Sequence, residues 1–192
     1  MSEFFNPTLP PAMTAILRET ATLGFAMSSE RRTGALLRTL AASRRGGRLL
    51  ELGTGTGVAT AWMLDGMDET SHLLTVDTDA DSQEIARRHL GLDARLEIRR
   101  QDAIAVILEL ADASLDLIFA DAWPGKFSHL DETLALLKPG GLYVIDDLLP
   151  SPNWDDGHAP FVDRLLESLA ARKDLVLTPM DWCSGVVVAT KR

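Results

Sequence analysis

A chain of 192 residues with 46% apolar and 24% charged residues has the make-up of one globular domain with a sizeable core. Its net charge of −9 argues against a nucleic-acid partner, which requires a basic surface. No apolar run nears the roughly 20 residues of a membrane span, MSEFFNPTLPPAM lacks the pattern of a signal peptide, and the single Cys183 excludes an internal disulfide or a cysteine-based metal cluster.

These features together predict a cytoplasmic protein that meets a small molecule, with no membrane partner. The charge is uneven. Residues 1–50 carry seven Arg against three acids, and the remainder carries twelve Lys/Arg against twenty-five acids. Arg31, Arg32, Arg38, Arg44, Arg45 and Arg48 read either as an attraction for an anionic substrate or, more plainly, as the solvated face of a helix and its end.

Residues 1–11 read as irregular, with Pro7, Pro10 and Pro11. Met13, Ile16, Leu17 and Leu23 fall near helical spacing over 12–23, and Gly24 ends that helix. A second helix is predicted from Ser28 or Ser29, a plausible N-cap, to about Ser43, followed by the basic, glycine-rich Arg44-Arg45-Gly46-Gly47. These two helices precede the alternating part of the chain.

Leu49-Leu50-Glu51-Leu52 then reads as a buried strand entering the glycine turn Gly53-Thr54-Gly55-Thr56-Gly57 and a helix from Val58. Three glycines in five residues exceed what a bare turn needs. They permit positive φ and close ligand approach, and the helix start favours an anionic or polar ligand. Strands follow at 73–76, 96–98, 115–120 and 142–145, separated by helices at 81–90, 104–110 and 129–137. Asp81-Ser82-Gln83-Glu84 loosely matches a capping box, and Lys138-Pro139-Gly140-Gly141 closes the helix before the fifth strand. A helix at 160–171 precedes closing strands at 175–177 and 186–189. Those two share a loop without a helix, so they should pair antiparallel at one edge. The pattern predicts an α/β, Rossmann-like, doubly wound sheet of seven strands, mostly parallel with an antiparallel closing strand, plus N-terminal helices.

Asp77, Asp102, Asp121 and Asp146 each end a strand, and in an open α/β sheet the ligand crevice lies at those ends. Four acids and the glycine turn on one rim make a site. A dinucleotide fingerprint would need a third glycine at 58, where Val58 stands, which disfavours a nicotinamide dehydrogenase.

The pattern is E-x-G-x-G-x-G, which resembles motif I of the class I S-adenosylmethionine (SAM)-dependent methyltransferases. The resemblance implies SAM as cofactor, with Gly53, Thr54, Gly55 and Gly57 packing against its methionine part and Glu51 near the amino group. Asp77, 20 residues beyond Gly57, sits where a carboxylate can accept from both ribose hydroxyls. Thr78 would lie beside the adenine, and the Asp102-Ala103 segment would hold the adenine amino group. The plainer readings are a charge partner under the loop for Glu51 and a helix cap for Asp77. The chain is then one methyltransferase domain over 1–192, with residues 1–45 as a substrate-side helical extension and 46–192 as the Rossmann-like core.

Phe119-Ala120-Asp121-Ala122-Trp123 and Val144-Ile145-Asp146-Asp147 look like the metal-dependent O-methyltransferases of the catechol and caffeoyl-CoA type, as does Met27-Ser28-Ser29-Glu30 with Gly34. This implies Asp121, Asp146 and Asp147 around Mg²⁺ or another divalent cation, Asp121 also beside the cofactor, and a catechol-like acceptor oxygen made nucleophilic by the metal. Relatives of that type are often homodimers, and the resemblance extends that expectation here. Two departures stand out. Asp147 replaces an asparagine, and Pro124 replaces the catalytic lysine that follows the tryptophan. The nearest lysine, Lys126, is either the base, acting with Asp121, or solvent-exposed. Trp123 and Trp154 are candidate aromatic walls for the acceptor, with loop anchoring the alternative for Trp154. His129 and His158 read as surface or capping residues. A metal-free SAM-dependent methyltransferase and a non-catalytic SAM-binding protein remain the other readings. Aminopropyl transfer, which shares the fold, lacks its second acid after strand four.

Overall fold

The computed structural model describes residues 6–151, 154 and 157–192. Residues 1–5 of the irregular start, and Pro152, Asn153, Asp155 and Asp156 of the loop after the fifth strand, lie outside the described residues. Helices α1 (Met13–Leu23) and α2 (Arg31–Ala42) lead into β1 (Arg48–Leu52), α3 (Val58–Gly66), β2 (His72–Asp77), α4 (Ala80–Leu90) and β3 (Leu96–Arg100). Then come α5 (Ala103–Glu109), β4 (Leu115–Ala120), the short turn α6 (Trp123–Lys126), α7 (Leu130–Ala135) and β5 (Leu137–Ile145). Helix α8 (Ala159–Ala171) and strands β6 (Leu175–Met180) and β7 (Val186–Lys191) complete the order.

Among the described residues the seven strands form one sheet in the order β3-β2-β1-β4-β5-β7-β6. The first five pair in parallel, and β7 runs antiparallel to both β5 and β6. The expected fold class is therefore observed. Strand order reverses between β1 and β4, so the crevice of this sheet opens at their C-terminal ends.

Both faces of the sheet are covered because side chains alternate along each strand. Leu50, Ile118 and Tyr143 point into a core with Val106, Ile107 and Leu165, from α5 and α8. Leu49, Phe119 and Val144 point into the opposite core with Ile16, Leu37, Trp62 and Met63, from α1, α2 and α3. Each of these side chains is almost wholly enclosed, and full burial of such a residue stabilises by about 1.5–3 kcal/mol. The N-terminal helices are fastened to this frame by Thr20 Oγ1, which donates to Thr56 Oγ1 at 2.8 Å, and by Glu19, which meets His89 at 2.7 Å and also Arg88.

Four boundaries differ from the sequence expectation. Helix α2 begins at Arg31, and its N-cap Glu30 makes no side-chain cap, so neither Ser28 nor Ser29 caps it. Helix α4 is capped by Asp79, whose side chain accepts from the Asp81 amide, in place of a box at 81–84. Helix α7 stops at Ala135, and Lys138–Gly141 lies inside β5, where the pairing jumps from Leu115–Leu137 to Leu117–Leu142 as a bulge. Strand β6 runs on to Met180 because pairing with β7 carries through Pro179. Tertiary pairing overrides local turn chemistry in the last two cases.

Candidate functional site

The turn after β1 is shaped by its glycines. Gly53, Gly55 and Gly57 have φ of 102°, 49° and 88°. At Gly53 a Cβ would stand 2.7 Å from the Asp121 carbonyl oxygen, so glycine is required for the loops after β1 and β4 to touch. The turn does not present a row of free amides. Gly53 and Thr54 donate to the Val76 carbonyl at 3.0 and 3.2 Å, Gly57 to the Thr54 carbonyl at 2.9 Å, and Gly55 to Asp77 Oδ2 at 2.8 Å. Four amides of the turn itself are thus spent on the fold, and the expectation of an anionic or polar ligand rests on the helix start at Val58.

A first compartment of about 420 Å³ opens above this turn. Gly53, Thr54, Gly55, Asp77, Thr78, Asp102, Ala103 and Asp121 all line it, as the sequence led one to expect. Phe25, Val58 and Ala59 give it apolar wall, and Met27, Ser28 and Ser29 close one side. Such a volume, part polar and part apolar, suits an elongated small molecule with hydroxyl or amine donors.

Two expected residues lie elsewhere. Gly57 is absent from the lining and serves helix packing, with Ala86 so close that a Cβ would come within 2.7 Å of it. Glu51 lies wholly buried beneath the turn, its Oε2 accepting from Thr60 at 2.5 Å and Thr75 at 2.6 Å. Its Oε1 is enclosed without a partner. Burial pushes the Glu51 carboxyl up to about 8, against the pull of the two threonine hydroxyls. Asp77 does not cap α4; its two oxygens accept from the Gly55 and Asp79 amides at 2.8 and 3.0 Å. Asp102 caps α5 through the Ile104 amide at 2.8 Å and so has only part of its acceptor capacity left for a ligand.

A second compartment of about 320 Å³ lies against the first. Met27, Ser28, Ser29, Asp121 and Ala122 belong to both. The second is completed by Trp123, Lys126, Phe127, Asp146, Asp147 and His158, among others. Lys126 is not solvent-exposed: its side chain is 5% exposed, its Nζ donates to the Asp146 carbonyl at 3.1 Å and it lies 3.7 Å from Asp121 Oδ1. Ser29, freed from helix capping, donates to Asp121 Oδ2 at 3.3 Å. Burial pushes the Asp121 carboxyl up to about 7, opposed by the Lys126 charge and reinforced by Asp146. Burial likewise raises Asp146, opposed by its hydrogen bonds from Ser184 and the Asp147 amide.

The aromatic residues divide. Trp123 lines the second compartment and stacks edge-on with Phe127 and Phe161 at 4.8 and 4.6 Å. Trp154 is outside the lining; its Nε1 donates to Asp147 Oδ1 at 2.8 Å, so it anchors the loop and is not a wall. His158 is corrected in the other direction, from surface residue to compartment lining, with its ring 4.5 Å from Trp154. His129 has φ 55° and precedes α7 without a side-chain cap. Ser184, which donates to Asp146 Oδ1 at 2.6 Å and to Glu30 at 3.1 Å, carries no sequence signal, because only the β5–β7 pairing brings it there.

Four of the six N-terminal arginines are occupied by the fold, and Arg45 and Arg48 are exposed. Arg31 donates to the Pro7 carbonyl, Arg32 stacks on Trp182 at 3.9 Å, Arg38 pairs with Asp65 at 3.2 Å, and Arg44 donates to the Gly140 carbonyl at 3.0 Å. No arginine lines either compartment.

A family model described as a methyltransferase domain matches residues 50–148, the stretch from β1 through the loop after β5. The chain belongs to the methyltransferase-domain family. A relative from Mycolicibacterium vanbaalenii that carries the name of an O-methyltransferase is 37% identical over 139 residues, covering 70% of this chain and 62% of that protein. This methyltransferase-domain chain thus spans less than two thirds of that relative's length. The O-methyltransferase TomG of Streptomyces achromogenes, solved in complex with SAM and described as involved in tomaymycin synthesis, superposes with a TM-score of 0.84 at 23% identity, covering 98% of this chain and 93% of its own. An O-methyltransferase from Bacillus cereus, solved with S-adenosylhomocysteine (SAH), gives 0.82 at 21%, covering 97% and 92%. At those identities the two structures carry a likeness of fold.

The metal set implied by the resemblance fits these residues poorly. Among the described residues no three carboxylate, imidazole or thiolate groups converge to hold a metal ion. Asp121 faces Ser29 and Lys126, Asp146 faces Ser184 and the Asp147 amide, and Asp147 faces Trp154.

Proposed function

We propose that this chain is a SAM-dependent methyltransferase that transfers the sulfonium methyl to an oxygen of a small acceptor. The observation that carries the reading is the pair of adjoining compartments with Asp121 and Ala122 in their common wall. A donor in one and an acceptor in the other would meet across that wall, and holding two reactants in line supplies much of the catalysis. The name of the mycobacterial relative and the SAM and SAH held by the two solved structures support the choice of donor and of oxygen.

In this reading Gly53, Thr54 and Gly55 pack against the methionine part of SAM, Asp77 accepts from the ribose hydroxyls, and Thr78, Asp102 and Ala103 flank the adenine. Glu51 acts from beneath, by holding the turn. The acceptor lies between Trp123 and Asp121. Its oxygen attacks the methyl carbon, the carbon–sulfur bond breaks, and SAH leaves as a neutral thioether. Asp121 accepts a hydrogen bond from the acceptor hydroxyl and orients it, Lys126 stabilises the negative charge that develops on the oxygen, and the proton passes to water. A divalent cation is left out of this reading because the three acids already face protein donors.

Calorimetry with SAH tests the donor. The wild type should bind saturably, and Asp77→Ala should weaken binding at least about tenfold through the lost ribose contacts. Absence of binding to the folded wild type, read by circular dichroism in the same sample, would overturn the reading.

A further inference from the structure

The turn between Asp121 and Lys126 is not a helix in its middle. Pro124 has φ −66° and ψ 142°, and Gly125 has φ 90° and ψ −30°. That left-handed φ is what favours glycine at 125, and a Cβ there would also press on Leu52 Cδ1 at 2.5 Å. The Tyr143 hydroxyl, buried under β5, donates to the Gly125 carbonyl and holds the detour in place. The effect is to bring Lys126, five residues beyond Asp121, back over the C-terminal ends of β4 and β5.

There its ammonium group meets the Asp146 carbonyl at 3.1 Å, Asp121 Oδ1 at 3.7 Å and the Phe127 ring at 5.6 Å from its centroid. A buried charge needs a partner of opposite sign, and a buried carboxylate pair needs a cation. Mg²⁺ would need about six oxygens at roughly 2.0–2.1 Å. Two of the oxygens on offer already accept from the protein. Asp146 Oδ1 takes Ser184 at 2.6 Å and the Asp147 amide at 2.9 Å, and Asp147 Oδ1 takes the Trp154 indole at 2.8 Å.

We propose that Lys126 is the resident cation of this site, tethered by the Pro124-Gly125 detour between Asp121 and Asp146, and that it takes the place of a divalent metal in holding the acceptor. The proposal rests on the methyl-transfer reading and narrows the substrate class. A metal chelates two neighbouring oxygens, whereas this ammonium group, with one N–H on the Asp146 carbonyl and another towards Asp121, has one of its three left for the acceptor. The acceptor therefore needs a single hydroxyl and no vicinal partner.

The test is a Mn²⁺ titration of the SAH-loaded protein, read by electron paramagnetic resonance and by calorimetry. SAH binding is measured first and separately, so a failure of the methyl-transfer reading appears there, and the Mn²⁺ titration is run both with SAH and without it. The wild type should show no saturable Mn²⁺ site up to about 1 mM. Lys126→Met removes the cation beside the buried Asp121 carboxyl and the Asp146 carbonyl oxygen and leaves both to recruit another, so it should gain one Mn²⁺ site at least tenfold tighter than any in the wild type. Adding Asp121→Asn should abolish it. A saturable site in the wild type that Asp121→Asn removes would overturn the proposal, as would a folded Lys126→Met that gains nothing. If Lys126→Met does not fold, the wild-type and Asp121→Asn titrations still decide.

Discussion

In the first compartment the chemistry comes from segments that each leave a strand directly: the turn after β1, Asp77 at the end of β2, Asp102 after β3 and Asp121 after β4. Its hydrogen bonds join neighbouring loops, such as Gly55 to Asp77. The second compartment is assembled by side chains from distant parts of the chain. Ser184 reaches Asp146 across 38 positions and Glu30 across 154. One half of the site is a property of strand ends, and the other is a property of the finished fold. Damage to the first should therefore act through backbone shape and burial, and damage to the second through single polar contacts.

The largest effect is expected at the seam between the halves. Gly53→Val would place a β-branched side chain at φ 102° and against the Asp121 carbonyl. Strain and overpacking should lower stability by about 3–5 kcal/mol, a fall of about 10 °C in melting temperature, and SAH binding should be lost in calorimetry. A variant that melts normally and binds SAH would break the idea that the two loops are locked together there.

Next is Glu51→Gln, which probes burial in the first half. The Glu51 carboxyl stands at about 8 in the folded chain, above its ordinary 4.5. Between these values the folded state holds a proton that the unfolded state releases, so stability falls as pH rises from about 4.5 to about 8. The loss is on the order of 5 kcal/mol. Glutamine mimics the protonated acid and should flatten that slope. Urea denaturation across this pH range would check it, and an unchanged slope would assign the dependence to other groups.

The smallest effect belongs to the second half. Trp154→Phe removes the indole donor to Asp147. Amide exchange in residues 147–151 should quicken, corresponding to about 1.5–3 kcal/mol of lost local protection, while SAH affinity stays within about twofold. A matching loss of SAH affinity would mean that the two halves are not separable.

The same division explains what could be read in the amino-acid sequence. The alternation of strands and helices along the chain, the glycine turn and the acids at the strand ends are local patterns, so the fold class and the lining of the first compartment were legible, Glu51 and Gly57 apart. Glu51 misled because its spacing in the motif does not reveal that Thr60 and Thr75 close over it. The second compartment was legible at Asp121, Trp123, Asp146 and Asp147 as residues, but not in the directions those side chains take. Lys126 looked displaced in a linear comparison, and the left-handed Gly125 restores its reach. His158 and Ser184 have no local pattern at all, since Trp154 packing and the β5–β7 pairing are what bring them in.

Asp121 and Ala122 stand in both compartments as one thin partition. A partition of that kind links occupancy on its two sides. Whatever settles in the first compartment finishes one wall of the second, and whatever settles in the second hinders escape from the first. In the methyl-transfer reading such coupling is reciprocal: each reactant should bind more tightly when the other is already in place.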